Sequence, residues 1–257
     1  MRQKKSIRYL LRSFPTSGLK SRMHGLRAGV YYSNSIFLLT LALCLPHAFA
    51  QQYPPPFPRP NADKQLENDR VIAWKVIWPK NQPTPMHEHP FDQLSVTLVG
   101  GEVKVTRLSG TPTINNSVKG SVAFTPKGTI HVEEGLSDLP QQKIMLELKP
   151  SVSSEVDMGS DSAIFVREGA VKLLENGRVI AWDFTWKAGH RVQLPVGHLD
   201  SVFVFIEPGT IRATTNQGGT KDIPRRAGEI VFISRNGKSE MEEAVQASPR
   251  AVIVELK

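Results

Sequence analysis

The chain has 257 residues, with 32 Lys+Arg against 24 Asp+Glu and a single cysteine. Its net charge of +8 belongs to one end: residues 1–50 hold eight of the basic residues and no acid, and the other 24 basic residues balance the 24 acids. The body of the protein is therefore near neutral, so its charge gives no case for a nucleic-acid or membrane partner, and one cysteine cannot make an internal disulfide.

The basic residues of the first segment are Arg2, Lys4, Lys5, Arg8, Arg12, Lys20, Arg22 and Arg27. An apolar run follows at 36–45, and then Ala48, Phe49 and Ala50. A basic start, a short apolar stretch and a small-x-small end predict a secretory signal peptide over 1–50. The run is shorter than the about 20 residues that span a bilayer. Cleavage after Ala50 puts the mature chain, starting at Gln51, in the periplasm of a bacterial cell or outside it, with no membrane attachment. Met1 and Met23 both stand as starts, and an uncut N-terminal anchor is the alternative. Cys44 lies inside the signal, behind Leu43 where a lipoprotein signal has a small residue. The mature part has no thiol, so nothing there mispairs in an oxidising space. Any metal there must be bound by histidine, amide or carboxylate, and the stability of this part must come from core burial.

Residues 51–60 contain Pro54, Pro55, Pro56, Pro58 and Pro60. Proline at this density excludes helix and interior strand, and predicts an extended tether. From 72 to 78 the chain alternates, with Trp74, Val76 and Trp78 on one face and Lys75 on the other, which reads as a strand with the aromatic face inward. Trp74 and Trp78 then belong to the core or line a substrate pocket.

Chemistry concentrates in 85–100. His87, His89 and Gln93 share strand parity, so their side chains point the same way. Ser95 and Thr97 continue that face as small polar lining, and 94–99 reads as a strand. Downstream, Gly120 starts a turn, Pro126 and Gly128 make a second, and His131 opens another strand. Glu133 shares the face of His131; it is a candidate general base, a carboxylate that orients a ligand histidine, or a solvated charge at a strand end. Glu88, Asp92 and Glu134 read as solvated charges.

The chain then repeats itself. Glu67, Arg70, Val71, Ile72, Ala73 and Trp74 return as Glu175, Arg178, Val179, Ile180, Ala181 and Trp182, and Glu147-Leu148-Lys149 returns as Glu255-Leu256-Lys257, at a constant offset of 108. Phe57 and Arg59 also match Phe165 and Arg167. Two copies of one domain are predicted, over 61–149 and 165–257, joined by a linker at 150–164. In the second copy, residues 202–206 are wholly apolar and read as a strand buried on both faces. The short stretch 170–174 is the one compatible with helix. At the offset of 108, His87, His89, Gln93 and His131 become Pro195, Gly197, Ser201 and Ser239. A one-residue shift in a strand turns a side chain to the other face, so His198, one position off register, and the isolated His190 read as structural or surface residues. The second copy is expected to support the first and cover its outer face.

The spacing His87-x-His89, three residues, Gln93, six residues, Gly100, followed by Gly120, five residues, Pro126-x-Gly128-x-x-His131, resembles the two motifs of the cupin superfamily. Gly135 stands where that family often has Asn. The resemblance implies an all-β fold of two tandem jelly-roll barrels, a bicupin. It also implies one divalent metal ion, Zn, Mn, Fe or Ni, held in the first barrel by His87, His89, Gln93 and His131. The family more often has Glu at the position of Gln93, so its Mn or Fe preference does not transfer. Three neutral imidazoles and a neutral amide leave the metal charge uncancelled, which favours an anionic small-molecule ligand. Export favours a metal that needs no reducing compartment. Two function classes follow: a small-molecule metalloenzyme of dioxygenase, decarboxylase, isomerase or lyase type, or a non-catalytic periplasmic protein that binds a metal or small ligand. Monomer and homodimer both fit.

Overall fold

The computed structural model describes residues 52–150, 168–193, 199–215, 217–235 and 240–257. All of them belong to one compact unit, Gln51–Lys257. The signal-peptide reading with Met23 and Cys44, residues 151–164 of the linker, and His198, Pro195, Gly197 and Ser239 lie outside the described residues. Among the described residues, no helix is long and apolar enough to cross a membrane.

The first copy supplies nine strands: β1 (Ala62–Glu67), β2 (Val71–Trp78), β3 (His87–Glu88), β4 (Asp92–Val99), β5 (Gly101–Arg107), β6 (Thr113–Ser117), β7 (Val122–Thr125), β8 (Ile130–Gly135) and β9 (Gln141–Leu148). They form two antiparallel sheets, in the orders β1-β2-β9-β4-β7 and β3-β8-β5-β6. The second copy repeats this with β10 (Val171–Glu175), β11 (Val179–Thr185), β12 (Val192–Gln193), β13 (Asp200–Glu207), β14 (Gly209–Thr215), β15 (Thr220–Arg225), β16 (Ile230–Ile233), β17 (Glu240–Gln246) and β18 (Arg250–Leu256). Its sheets run β10-β11-β18-β13-β16 and β12-β17-β14-β15. The repeat reaches the irregularities: the register break between Lys64 and Leu66 returns between Lys172 and Leu174, and that between Thr97 and Val99 returns between Phe205 and Glu207.

Strand alternation divides the apolar residues between two destinations. In β2, Trp74, Val76 and Trp78 point into the first barrel with Val103, Val105 and Met145. Val71 and Ala73, on the opposite face, join Leu94, Val96, Ile144 and Leu146 in a cluster that continues into Val179, Val202, Val204, Val252 and Val254 of the second copy. The two five-stranded sheets therefore bury their outer faces against each other, as expected of a second barrel that covers the first. Each such side chain removed from water contributes on the order of 1.5–3 kcal/mol.

The apolar strand at 202–206 is buried on both faces, as read from its composition. Val202, Val204 and Ile206 face the seam between the copies, while Phe203 and Phe205 fill the second barrel with Trp182, Phe184 and Trp186. Trp186 stacks on Phe205 at 5.6 Å between ring centroids.

Three expectations are corrected. The stretch 170–174, compatible with helix by composition, enters strand β10, because its partner β11 offers a ladder from Val171↔Asp183 to Glu175↔Ile180. The proline-rich residues 52–60 are not a free tether. Phe57 is buried and stacks on Trp74 at 4.9 Å, and the Glu88 N–H donates to Pro54 O at 3.0 Å. Proline forbids helix here but not packing, and an aromatic anchor supplies the burial. Lastly, the counterpart of His131 is Glu240, not Ser239: Arg107 pairs with His131 as Thr215 pairs with Glu240. Between the end of the preceding strand and these two residues the second copy has 234–239 and the first 126–130, one residue fewer, which a uniform offset cannot register.

Candidate metal site

The three histidines come together because two antiparallel segments are zipped side by side. His87 in β3 pairs directly with His131 in β8. Beyond β3, the His89 N–H donates to Thr129 O at 3.0 Å and His89 O accepts from Gly128 N–H at 2.8 Å. The Pro126–Gly128 turn thus sets the position of His89, and Gly128 takes a positive φ of 79° that glycine adopts without strain. Cross-strand pairing and period-two alternation then leave all three imidazoles on the inner face.

Their ligand nitrogens all lie within 4.8 Å of one another, and His89 Nε2 and His131 Nε2 are 3.0 Å apart. His87 Nδ1 donates to Pro85 O at 2.9 Å, which leaves the lone pair on its buried Nε2, an atom with no hydrogen-bond partner among the described residues. A backbone acceptor on one ring nitrogen is how a protein commits the other to a metal. Gln93 is 1% exposed, and neither of its amide atoms has a partner among the described residues. Burial pushes all three rings below the ordinary histidine range, and His89, further lowered by His131 and His87, is brought down to about 4. At neutral pH the cluster is uncharged, with lone pairs available. The donor set fits a divalent ion, and His87, His89 and His131 could hold it.

Below the histidines lies a cavity of about 410 Å³, lined by Trp78, Ser95, Arg107, Glu133, Lys143 and Met145 among others. Trp78 and Ser95, both expected on an inward face, line this cavity. Trp74 does not reach it; its Nε1–H donates to Glu147 Oε2 at 2.8 Å. Thr97 is buried beside it, accepting from Ser121 Oγ at 3.1 Å. Glu133 Oε1 is 4.0 Å from His131 Nε2, and Glu133 Oε2 accepts from Trp78 Nε1–H at 3.1 Å. Burial alone would push this carboxyl up, but His131, Arg59, His87 and Lys143 outweigh it and hold it below the usual carboxylate range.

Three cations escape a motif-based reading. Arg59 comes from the proline-rich segment; its guanidinium lies 3.8 Å from Glu133 and 5.4 Å from the Trp78 ring centroid. The match of Phe57 and Arg59 to Phe165 and Arg167 is the signal that this segment belongs to the domain. Arg107 sits opposite His131. Lys143 enters from β9, donates to Ser117 Oγ at 3.2 Å, and lies 5.9 Å from the Trp78 ring centroid. Its ammonium is pushed down by burial, against the opposing pull of Glu133.

Among the described residues, the second barrel fills the corresponding positions with larger or apolar side chains. Ser95, Thr97, Lys143 and Met145 correspond to Phe203, Phe205, Ala251 and Ile253, all in its packed interior. His190 is exposed, with its nearest carboxylate, that of Glu168, at 4.0 Å.

No protein-family model and no curated protein matches the sequence. In structure the chain has a bicupin-type fold, two tandem all-β barrels. It is similar to AerE from Microcystis aeruginosa, with a TM-score of 0.57 and 10% identity over 80% of this chain and 97% of that one. The oxalate decarboxylase of Bacillus subtilis aligns at TM-score 0.50 and 10% identity, over 76% of this chain and 74% of that one. The salicylate 1,2-dioxygenase of Pseudaminobacter salicylatoxidans aligns at TM-score 0.50 and 10% identity, over 76% of this chain and 75% of that one. At such identities the likeness is one of fold.

Proposed function

We propose that the chain is an exported bicupin whose first barrel binds one divalent metal ion and acts on a small anionic molecule as a metalloenzyme of decarboxylase, dioxygenase, isomerase or lyase type. The observation that carries this reading is the convergence of His87, His89 and His131 beside a cavity that also presents Arg107 and Lys143. His87, His89 and His131, with Gln93 as a weaker fourth ligand, would hold Zn, Mn, Fe or Ni, and a bound ion supplies Lewis-acid or oxygen-activating chemistry. The residues of the chain itself bind and orient. Arg107 and Lys143 attract the anion, Trp78 and Met145 exclude water, and Glu133 is a charged acceptor for a proton at its Oε1. Two proteins of like fold, named for oxalate and for salicylate, act on small acids, and one has Mn(II) centres.

A second reading, a periplasmic protein that holds a metal or small ligand without turnover, draws on Glu133. This one carboxylate of the cavity lining is engaged by Trp78 and faced by Arg59. Elemental analysis of mature protein purified without a metal-affinity tag tests the metal; near one equivalent is expected, and none after supply of Zn, Mn, Fe and Ni overturns the reading. Carbon dioxide release or oxygen uptake with a panel of small acids, scaling with metal content, separates the enzyme from the binder. N-terminal sequencing of the exported protein should begin at Gln51; a cytoplasmic protein that keeps the residues before Ala50 overturns the location.

A further inference from the structure

We infer that Lys143 is the residue that recognises the acid group of the ligand, and that the ligand is a small organic acid whose apolar body lies against Trp78 and Met145. The inference rests on the reading of the first barrel as a small-molecule site. It goes further by placing the anion on an ammonium of the chain and leaving the other end of the molecule to the histidines.

Among the described residues, neither cation of the cavity lining, Arg107 or Lys143, is in ion-pair contact with a carboxylate. Glu133 accepts from Trp78, and the guanidinium 3.8 Å from it, that of Arg59, comes from outside the cavity lining. Lys143 makes no ion pair among the described residues; its partners are the Ser117 hydroxyl at 3.2 Å and the Trp78 ring at 5.9 Å. Glu133 pulls on it from beyond ion-pair distance; a half-buried ammonium with no carboxylate in contact is costly to desolvate, and an anionic ligand offsets that cost with a charge-assisted hydrogen bond. The rest of the lining is mixed: Val105, Phe124 and Met145 join Trp78 as apolar wall. A volume of about 410 Å³ falls in the range of small-molecule pockets. An apolar body with one acidic end matches that wall.

The second barrel supplies the comparison within the same molecule. Where the first has Lys143, Ser95 and Thr97, the second has Ala251, Phe203 and Phe205, all in one apolar core cluster. The cation and the small polar residue beside it are present together in one copy and replaced together by apolar residues in the other. A lysine kept only for the fold would have no reason to track the cavity.

The test uses the mature chain after chelator treatment, with benzoate as probe and benzamide as its neutral isostere, read by isothermal calorimetry. Wild type should bind benzoate about tenfold more tightly than benzamide. Lys143→Met should lose most of that preference, with Arg107 left as the cation of the lining, and Lys143→Arg should keep most of it; circular dichroism shows that each variant folds, and Lys143→Gln replaces Lys143→Met if the latter does not. Reloading with zinc should change benzoate affinity little. Equal binding of the two probes, no binding of benzoate, or an undiminished preference in Lys143→Met overturns the inference. Benzoate binding that requires zinc also overturns it, because the anion then sits at the histidines, and in that outcome the metalloenzyme reading stands.

Discussion

Arg70 and Arg178 occupy equivalent places in the two copies, and each reaches across to cap the last strand of the other barrel. Arg70 Nη2 donates to Leu256 O and Lys257 O, both at 3.2 Å; Arg178 Nη2 donates to Leu148 O at 3.1 Å and Lys149 O at 3.0 Å. The ion pairs are exchanged as well, Arg70 with Asp200 and Arg178 with Asp92, each at 3.1 Å. Arg70→Ala strands two carbonyls and a carboxylate at the rim of the seam, so it should lower unfolding stability by about 1–3 kcal/mol. Denaturant unfolding of the full mature chain checks it, and an unchanged midpoint would show that the exchange is ornamental.

His131→Ala should abolish stoichiometric metal binding, and Gln93→Ala should weaken it less, because an amide is the poorer donor. The pH dependence follows from His89. Its folded value, about 4, lies below the ordinary imidazole value, so as pH falls the unfolded chain takes up the proton first. The metal-free protein should therefore lose stability between about pH 6.5 and about 4, by roughly 3 kcal/mol over that window. Zinc should still bind at pH 5.5, measured by dialysis and elemental analysis, where a solvent-exposed histidine site would have failed.

His190→Ala and His198→Ala should leave the metal content unchanged. The second barrel has Ser201 in place of Gln93 and Glu240 in place of His131, around an interior filled by Phe203, Phe205 and Trp186. Loss of half the bound metal in either variant would reveal a second site.

Glu147 carries a carboxyl raised by burial and by Glu67, with the Trp74 hydrogen bond opposing. An acid with a raised folded value keeps its proton longer in the native state, so its contribution falls as pH rises above about 4.5. Glu147→Gln retains an acceptor for the Trp74 N–H and removes the charge. The variant should be at least as stable as wild type at pH 7, and should lose the part of the pH slope due to this group. Thermal melts from pH 4 to 8 settle it; a marked loss at pH 7 would mean that the charge itself is required.

Gly135 stands where cupin motifs often carry Asn, and the reason is steric. A Cβ there would lie 2.6 Å from Trp78 O and 2.7 Å from Pro79 O, both backbone atoms. The same crossing is tied by Asn81 N–H donating to Gly135 O at 2.9 Å. Gly135→Asn should cost about 1–3 kcal/mol, as overpacking does, and should displace Trp78 from Glu133. Urea unfolding and tryptophan fluorescence report the two effects.

Much of this architecture is legible before any coordinates. His87, His89 and Gln93 follow from strand parity, His131 from the turn that precedes it, and the two copies from their offset. Three things are not. Arg59 hides in a segment whose prolines speak only of what it cannot form, and its packing depends on Trp74 and Trp78 arriving from elsewhere. Lys143 faces the histidines from the opposite sheet, a relation that no local spacing encodes. Glu240 is missed because a constant offset cannot see one extra residue ahead of the strand, whereas a strand ladder counts it. Trp74 and Thr97 share the inward parity of pocket residues yet stop short of the cavity, since parity gives a direction and not a depth.

The exchanged arginines and the shared apolar seam have a consequence for how such a chain could arise. Each copy presents the same patch to the other, so the contact is self-complementary, as it is across the two-fold axis of a homodimer. Joining two such subunits in one polypeptide makes their association independent of concentration. Once docking is guaranteed by the backbone, only one copy has to stay hollow. The other is free to exchange pocket for packing, and the aromatic interior around Trp186 is the product of that division of labour.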